Sequence, residues 1–156
     1  MMVVVSGLVV HPRVPWALAF ASAATTGAPG CLLVVEDDED MRALIRELVT
    51  QEGGLTVVGE AVTADEAVEL ATSTQPDLVI LDHFLFGTVR GLDVSAQLRL
   101  AAPSARILVL SSHNNLQVEA ERDPSVDAFV WKQHLSDFMP SVRRLLGLSE
   151  PPPARC

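Results

Sequence analysis

LVILDHF (residues 78–84) decides how this chain is read. Leu78 to Leu81 are apolar without alternation, the pattern of a short strand covered on both faces, and the run stops on Asp82. A carboxylate at the end of a buried strand needs a reason. Four further runs share the character of this one, read as DLVIL (77–81): CLLVV (31–35), LTVVGE (55–60), RILVL (106–110) and DAFVW (127–131). All five read as buried strands.

Between them the hydrophobic period changes. Met41, Leu44, Ile45, Leu48 and Val49 repeat at helical spacing, and Gly53 and Gly54 supply the stop. Thr63 with Glu66 forms a capping box for a second helix, which must end before Pro76 because the proline ring disfavours a helical Gln75. Leu92 to Ala101 suits a third helix ending at Pro103. Leu135, Phe138, Val142, Leu145 and Leu146 mark a last one, with Pro140 tolerated in or just after its first turn. After Ser111 only Leu116 and Ala120 align before Pro124, so any helix there is short and poorly anchored.

Strands alternating with helices imply a parallel sheet covered on both faces by right-handed crossovers, an open doubly wound α/β architecture. In such sheets ligands bind beyond the carboxyl ends of the strands. Those ends carry Glu36 and Asp37 after the first strand, Asp82 after the third, Ser111 after the fourth and Lys132 after the fifth. Taken singly, each has an ordinary reading. Acids from Asp37 to Asp40 suit a helix start, and Asp38 and Asp40 are assigned to that role. Ser111 and Ser112 suit a cap or turn, Lys132 a solvated cation and Phe129 the core. His83 and His113 flank the edge, but without a cysteine or third histidine nearby they do not suggest a structural metal site. The convergence on one edge favours a shared site.

Four segments, LLVVEDDEDMRALI, PDLVILD, ILVLSSH and VDAFVWK, stand in this order at separations that resemble the receiver domain of two-component response regulators, over roughly residues 31–148. The resemblance implies the flavodoxin-like fold with strand order 2-1-3-4-5. It also implies Asp82 as phosphoacceptor, Glu36 and Asp37 as acids holding Mg2+ with Asp82 and the backbone carbonyl of Phe84, Ser111 as switch hydroxyl, Phe129 as switch aromatic and Lys132 as the family lysine. The partners implied are a sensor histidine kinase or phosphotransfer protein, an output protein, and a second copy of the chain as a homodimer. The chemistry agrees: three converging carboxylates repel unless a cation compensates, and magnesium prefers oxygen ligands of this kind. Asp82 can then act as nucleophile toward a phosphoryl donor.

The chain departs from the family pattern in places. Gln133 stands where proline usually follows the lysine. The loop after Asp82 reads HFLFGTVRG, with Phe86 in place of proline, Arg90 where an acid is common, and one residue more than usual. Phe84 and His113 lie two residues beyond Asp82 and Ser111, where receivers line the approach of the hydrolytic water. A pseudo-receiver that binds partners without phosphorylation is the alternative that these departures keep open. Two enzymes fail on specific positions: a haloacid-dehalogenase-like phosphatase wants an Asp where Phe84 stands, and a flavodoxin wants a Gly/Ser/Thr phosphate loop where the chain has acids.

Composition sets the outer limits. With 156 residues, 49% of them apolar, one domain is expected; the resemblance implies a stand-alone receiver and not an enzyme in the ordinary sense. The net charge of -9 argues against direct nucleic-acid binding. Cys31 and Cys156 make no disulfide framework, which fits a cytoplasmic protein. Residues 1–30 are apolar, Ala-rich and broken by Pro12, Pro15 and Pro29, with no basic residue before Val10 to start a signal peptide and no unbroken stretch long enough to span a membrane. They read as a disordered leader or an upstream start, and residues 149–156 as a polar, Pro-rich tail.

Overall fold

The computed structural model describes residues 30–85 and 91–149. The expectations for the leader, for Phe86 and Arg90 and for the tail beyond residue 149 lie outside those residues. In chain order the elements are β1 (Gly30–Val35), α1 (Glu39–Glu52), β2 (Leu55–Ala61), α2 (Ala64–Thr74), β3 (Leu78–Asp82), α3 (Gly91–Ala101), β4 (Arg106–Ser111), α4 (Gln117–Arg122), β5 (Ala128–Trp131) and α5 (Phe138–Leu146). Short 3-10 turns at Asn114–Leu116 and Lys132–Asp137 lead into α4 and α5. The strands form one parallel sheet in the order β2-β1-β3-β4-β5, the flavodoxin-like arrangement expected.

Strand alternation divides the core in two. Leu33, Val35, Val79, Leu81, Ile107 and Val109 pack with Ala67 and Ala71 of α2 and Val94 and Leu98 of α3. Leu32, Val34, Leu78, Ile80, Leu108 and Leu110 pack on the other face with Ile45 and Val49 of α1 and Phe138 and Val142 of α5. Central strands buried on both faces are continuous apolar runs for this reason. Truncating such a residue, Leu81 for example, typically costs about 2–5 kcal/mol.

The local signals place the helix ends. Asp38 caps α1, its Oδ1 accepting from the Met41 N–H at 2.8 Å, so its ordinary helix-start reading holds. Gly53 and Gly54, at φ 71° and 70°, turn the chain into β2. Thr63 Oγ1 accepts from the Glu66 N–H at 3.3 Å, while Glu66 reaches back to the Val62 N–H at 2.9 Å, a capping box whose return bond goes one residue further than usual. Gln75 leaves the helix at φ 45° immediately before Pro76.

Most strand ends move by one residue from expectation, and two differences have further consequences. β1 begins at Gly30, whose N–H donates to Gly54 O at 2.8 Å; the sheet thus takes in the last residue assigned to the leader. Leu135 belongs to the 3-10 turn, not to the last helix, because the chain kinks at His134 (φ -118°, ψ 56°) before α5 starts at Phe138. Pro140 then falls in the first turn, where its missing N–H has no partner to lose.

A repeated device fixes the amino edge of the sheet. The Asp77 N–H donates to Cys31 O and its carboxylate accepts from the Cys31 N–H, both at 2.8 Å; Asp127 makes the same pair of bonds with Ile107, also at 2.8 Å. Each aspartate stands just before a strand and clamps it to a neighbour. Among the described residues no helix is long and apolar enough to cross a membrane.

Candidate functional site

At the opposite edge the strand ends bring the acids together. Asp82 closes β3 and Glu36 and Asp37 follow β1, its neighbour in the sheet, so carboxylate oxygens of all three lie within 4.8 Å of one another. Lys132 follows β5 and reaches across β4: its Nζ is 2.7 Å from Glu36 Oε2 and 3.0 Å from Asp82 Oδ1. It does so with Gln133 as the next residue.

Burial governs the electrostatics here. Glu36 is 1% exposed, and desolvation pushes its carboxyl up to about 7; the Lys132 hydrogen bond opposes this and the Asp82 charge adds to it. Burial alone would lower the Lys132 ammonium. Its hydrogen bond to Glu36 and the charge of Asp82 prevail and hold it above its ordinary value. Lys132 therefore stays charged, shared by two acids, and Glu36 keeps its proton more readily than a solvated glutamate does. One cation among three acids leaves net negative charge, and the donors are all hard oxygens. That donor set fits Mg2+, with Asp37 the least buried of the three.

Ser111, fully buried, ends β4 one residue beyond Leu110, the register partner of Asp82. Its Oγ accepts from the His113 N–H at 3.0 Å, so at present the hydroxyl serves the turn that follows β4. The ordinary turn reading thus applies to it, and β4 places it next in sequence to the register partner of Asp82. Phe129 pairs in register with Val109, is half buried, and lines a hollow of about 160 Å3 with Ala120, Glu121, Val126, Asp127 and Ala128. Phe84 is 48% exposed, with its ring edge-on to His83 at 4.6 Å and to His113 at 4.9 Å. His113 thus touches the Phe84 ring from the loop after β4, whereas His83, on the other contact of that ring, is fully buried. Neither histidine joins the cluster of acids.

Sequence reasoning passed over Arg42. On α1 it is 9% exposed, and its Nη1 donates to Glu36 O at 2.8 Å and Asp37 O at 3.1 Å. The available signal was one arginine in the first turns of an acid-rich helix start, and that pattern equally describes a solvated side chain.

A family model of the response regulator receiver domain matches residues 32–138. The chain is 36% identical over 87 residues to the nitrate/nitrite response regulator protein NarL of Escherichia coli K12, covering 56% of this chain and 40% of that protein. It is 28% identical over 115 residues to the response regulator protein VraR of Staphylococcus aureus, covering 72% of this chain and 54% of that one. The chain thus spans about half, or less, of the length of these curated relatives. Among solved structures, a LuxR-family two-component response regulator from Aurantimonas sp. SI85-9A1 superposes with a TM-score of 0.68 at 27% identity, covering 79% of this chain and 89% of that one. TrrA from Thermotoga maritima, solved in complex with Mg2+ and beryllofluoride, does so with 0.66 at 26% identity, covering 74% and 98%. The sheet order, the placement of the acids and lysine at its carboxyl edge and the match over most of the chain lead to one conclusion: this protein belongs to the response regulator receiver domain family of two-component systems.

Proposed function

We propose that this domain accepts a phosphoryl group on Asp82 from a sensor histidine kinase or a phosphotransfer protein. The observation that carries this reading is the position of Lys132 Nζ, 2.7 Å from Glu36 and 3.0 Å from Asp82 within a cluster of three acids. With Oδ1 of Asp82 held by Lys132, the second carboxylate oxygen is the nucleophile. A P–O bond forms to it as the P–N bond of the donor phosphohistidine breaks, and the imidazole leaves with the electron pair. Lys132 offsets charge on the transferring oxygens. Glu36, Asp37, Asp82 and the carbonyl oxygen of Phe84 would hold Mg2+, which when bound supplies further charge stabilisation at the phosphoryl oxygens. The TrrA complex with Mg2+ and beryllofluoride supports this extension to the present chain.

The phosphoryl group adds negative charge and acceptor oxygens beside β4. Ser111 gives up its turn bond to His113 and donates to the new acceptor, drawing the following loop inward, and Phe129 moves into the vacated space. The segment that responds is weakly held: α4 has no side-chain N-cap, Val118 on it is 54% exposed, and only Ala120 is buried. Another protein, or a second copy of this one, reads the altered face of α4 and β5.

Intact-mass analysis after incubation with acetyl phosphate and Mg2+ tests the reading. Wild type gains one phosphoryl group and Asp82→Asn gains none. A wild-type protein that takes up no phosphoryl group from several donors would instead be the phosphorylation-independent binding module.

A further inference from the structure

Arg42 occupies a corner of a closed ring of charge. Its Nη2 pairs with Glu39, its Nε lies 3.6 Å from Glu60 Oε2, Glu60 Oε1 is 3.2 Å from Arg46, and Arg46 returns to Glu39 at 3.7 Å. The ring joins α1 to the edge strand β2. Three of its members are visible to solvent, with side chains 70% exposed at Glu39, 46% at Arg46 and 27% at Glu60, whereas that of Arg42 is only 11% exposed. The inner corner is the one that turns toward the strand ends.

What it meets there is main chain. Nη1 donates to two consecutive carbonyls, Glu36 O at 2.8 Å and Asp37 O at 3.1 Å. The Glu36 N–H is held in its turn by Ala61 O, at 3.0 Å, from the end of β2. The peptide groups around the two acids are therefore fixed from β2 on one side and from α1 on the other, in the link where the chain leaves β1 for α1.

Building on the phosphoacceptor reading above, we propose that Arg42 is a positioning residue for the acid pair: its guanidinium fork holds the main chain of Glu36 and Asp37 in the arrangement that lets their carboxylates meet that of Asp82. The ring of Glu39, Glu60 and Arg46 aims the fork. A planar guanidinium suits the task because one nitrogen can serve adjacent carbonyls while the others keep their carboxylates, a division that a lysine ammonium at the end of a flexible stem does not reproduce.

The sign of the effect separates this role from plain electrostatics. Arg42 is a positive charge close to a cation site. If it acted only through its charge, its removal would tighten cation binding. A positioning role predicts the reverse, since outer residues that orient metal ligands typically change affinity by roughly 10- to 100-fold when removed.

Calorimetric titration of the full chain with MgCl2 alone, at fixed ionic strength, reads that sign. The variants are Arg42→Ala, Arg42→Lys, Glu60→Gln and Glu52→Ala. Glu52 pairs with Arg143 at the far end of α1, so Glu52→Ala lowers stability without touching the acid pair. The expected result is a Kd for Mg2+ weaker by roughly 10-fold or more in Arg42→Ala, a smaller weakening in Arg42→Lys, a slight one in Glu60→Gln and wild-type affinity in Glu52→Ala at a comparable loss of melting temperature. Should Arg42→Ala fail to fold, Arg42→Lys decides: wild-type or tighter affinity there overturns the proposal, as it does in Arg42→Ala. Equal weakening in Glu52→Ala also overturns it, by showing that affinity follows stability. Wild type that binds Mg2+ and takes up phosphoryl while the Arg42 variants bind normally leaves the phosphoacceptor reading standing without this role; wild type that does neither removes both.

Discussion

Asp127 and Glu36 are acids at opposite edges of one sheet, and their surroundings treat them in opposite ways. At the amino edge, burial pushes the Asp127 carboxyl up, but the Ile107 N–H and the guanidinium groups of Arg99 and Arg106 outweigh it and hold the group below its ordinary value of 3.8. Its bonds are 2.8 Å to Ile107, 2.6 Å to Arg99 and 3.1 Å to Arg106. At the carboxyl edge Lys132 serves two of the three clustered acids, Glu36 and Asp82, and Glu36 is pushed up to about 7. One edge is neutralised internally. The other keeps an excess of negative charge, a store of binding free energy for a cation, and the fold must carry its cost.

The largest test of this contrast lies at the amino edge. Asp127→Ala should destabilise the domain by about 2–3 kcal/mol, because it strips partners from Arg99 and from a strand N–H. Urea unfolding at pH 7 measures it. Since the folded value is depressed, the stability that Asp127 confers is complete above 3.8 and is lost as pH falls through the lower folded value. The gap between wild type and variant should therefore begin to narrow below about pH 4 and close only once the pH has fallen past the depressed folded value, and a gap that does not narrow with falling pH would show that packing, not charge, sets the cost.

Glu36→Gln should act in the other direction and by less. A carboxyl whose folded value is raised confers stability at low pH that disappears as pH rises from 4.5 to about 7. The variant, unable to ionise, should match wild type at pH 4.5 and exceed it at pH 8 by on the order of 1–2 kcal/mol without Mg2+. In wild type, Mg2+ binding at pH 6 should release protons, visible as a buffer-dependent heat, and Glu36→Gln should lose that release. Equal unfolding profiles of the two proteins across this range would mean that the two edges are not electrostatically opposed.

The smallest effect belongs to Phe84. Its ring contact with His113 bridges the segments that follow β3 and β4, and aromatic pairs of this kind contribute about 0.5–1.5 kcal/mol. Phe84→Ala should open the approach of water to a phosphorylated Asp82 and speed loss of the label by roughly 2- to 12-fold. An unchanged phosphoryl lifetime would remove Phe84 from that approach.

The two edges were not equally legible in the sequence. The carboxyl edge could be read because residues from four strand ends converge only if the runs are parallel strands, and five continuous apolar runs alternating with helical periods leave little other choice. The amino edge was written just as openly, in DLVIL and DAFVW, but both aspartates were taken as parts of their strands. Only the structure shows that each precedes its strand and clamps a neighbour. Arg42 was illegible for a different cause: its partners are carbonyl groups, which carry no residue identity, and Glu60, which becomes its neighbour only when β2 lies against α1. The 3-10 turn at Lys132–Asp137 was hidden because Leu135 keeps helical spacing with the true helix that follows.

Trp131 ends β5 in register with Ser111, and its indole Nε1 donates to Ser112 O at 3.1 Å. An indole bonded to the loop expected to move is a fluorophore built into the switch. Its emission should shift in wavelength when that bond is remade, and in a Trp16→Phe background it becomes the sole source of tryptophan light. Stopped-flow mixing with a small phosphoryl donor would then time the arrival of the conformational signal, with no label attached and no partner present.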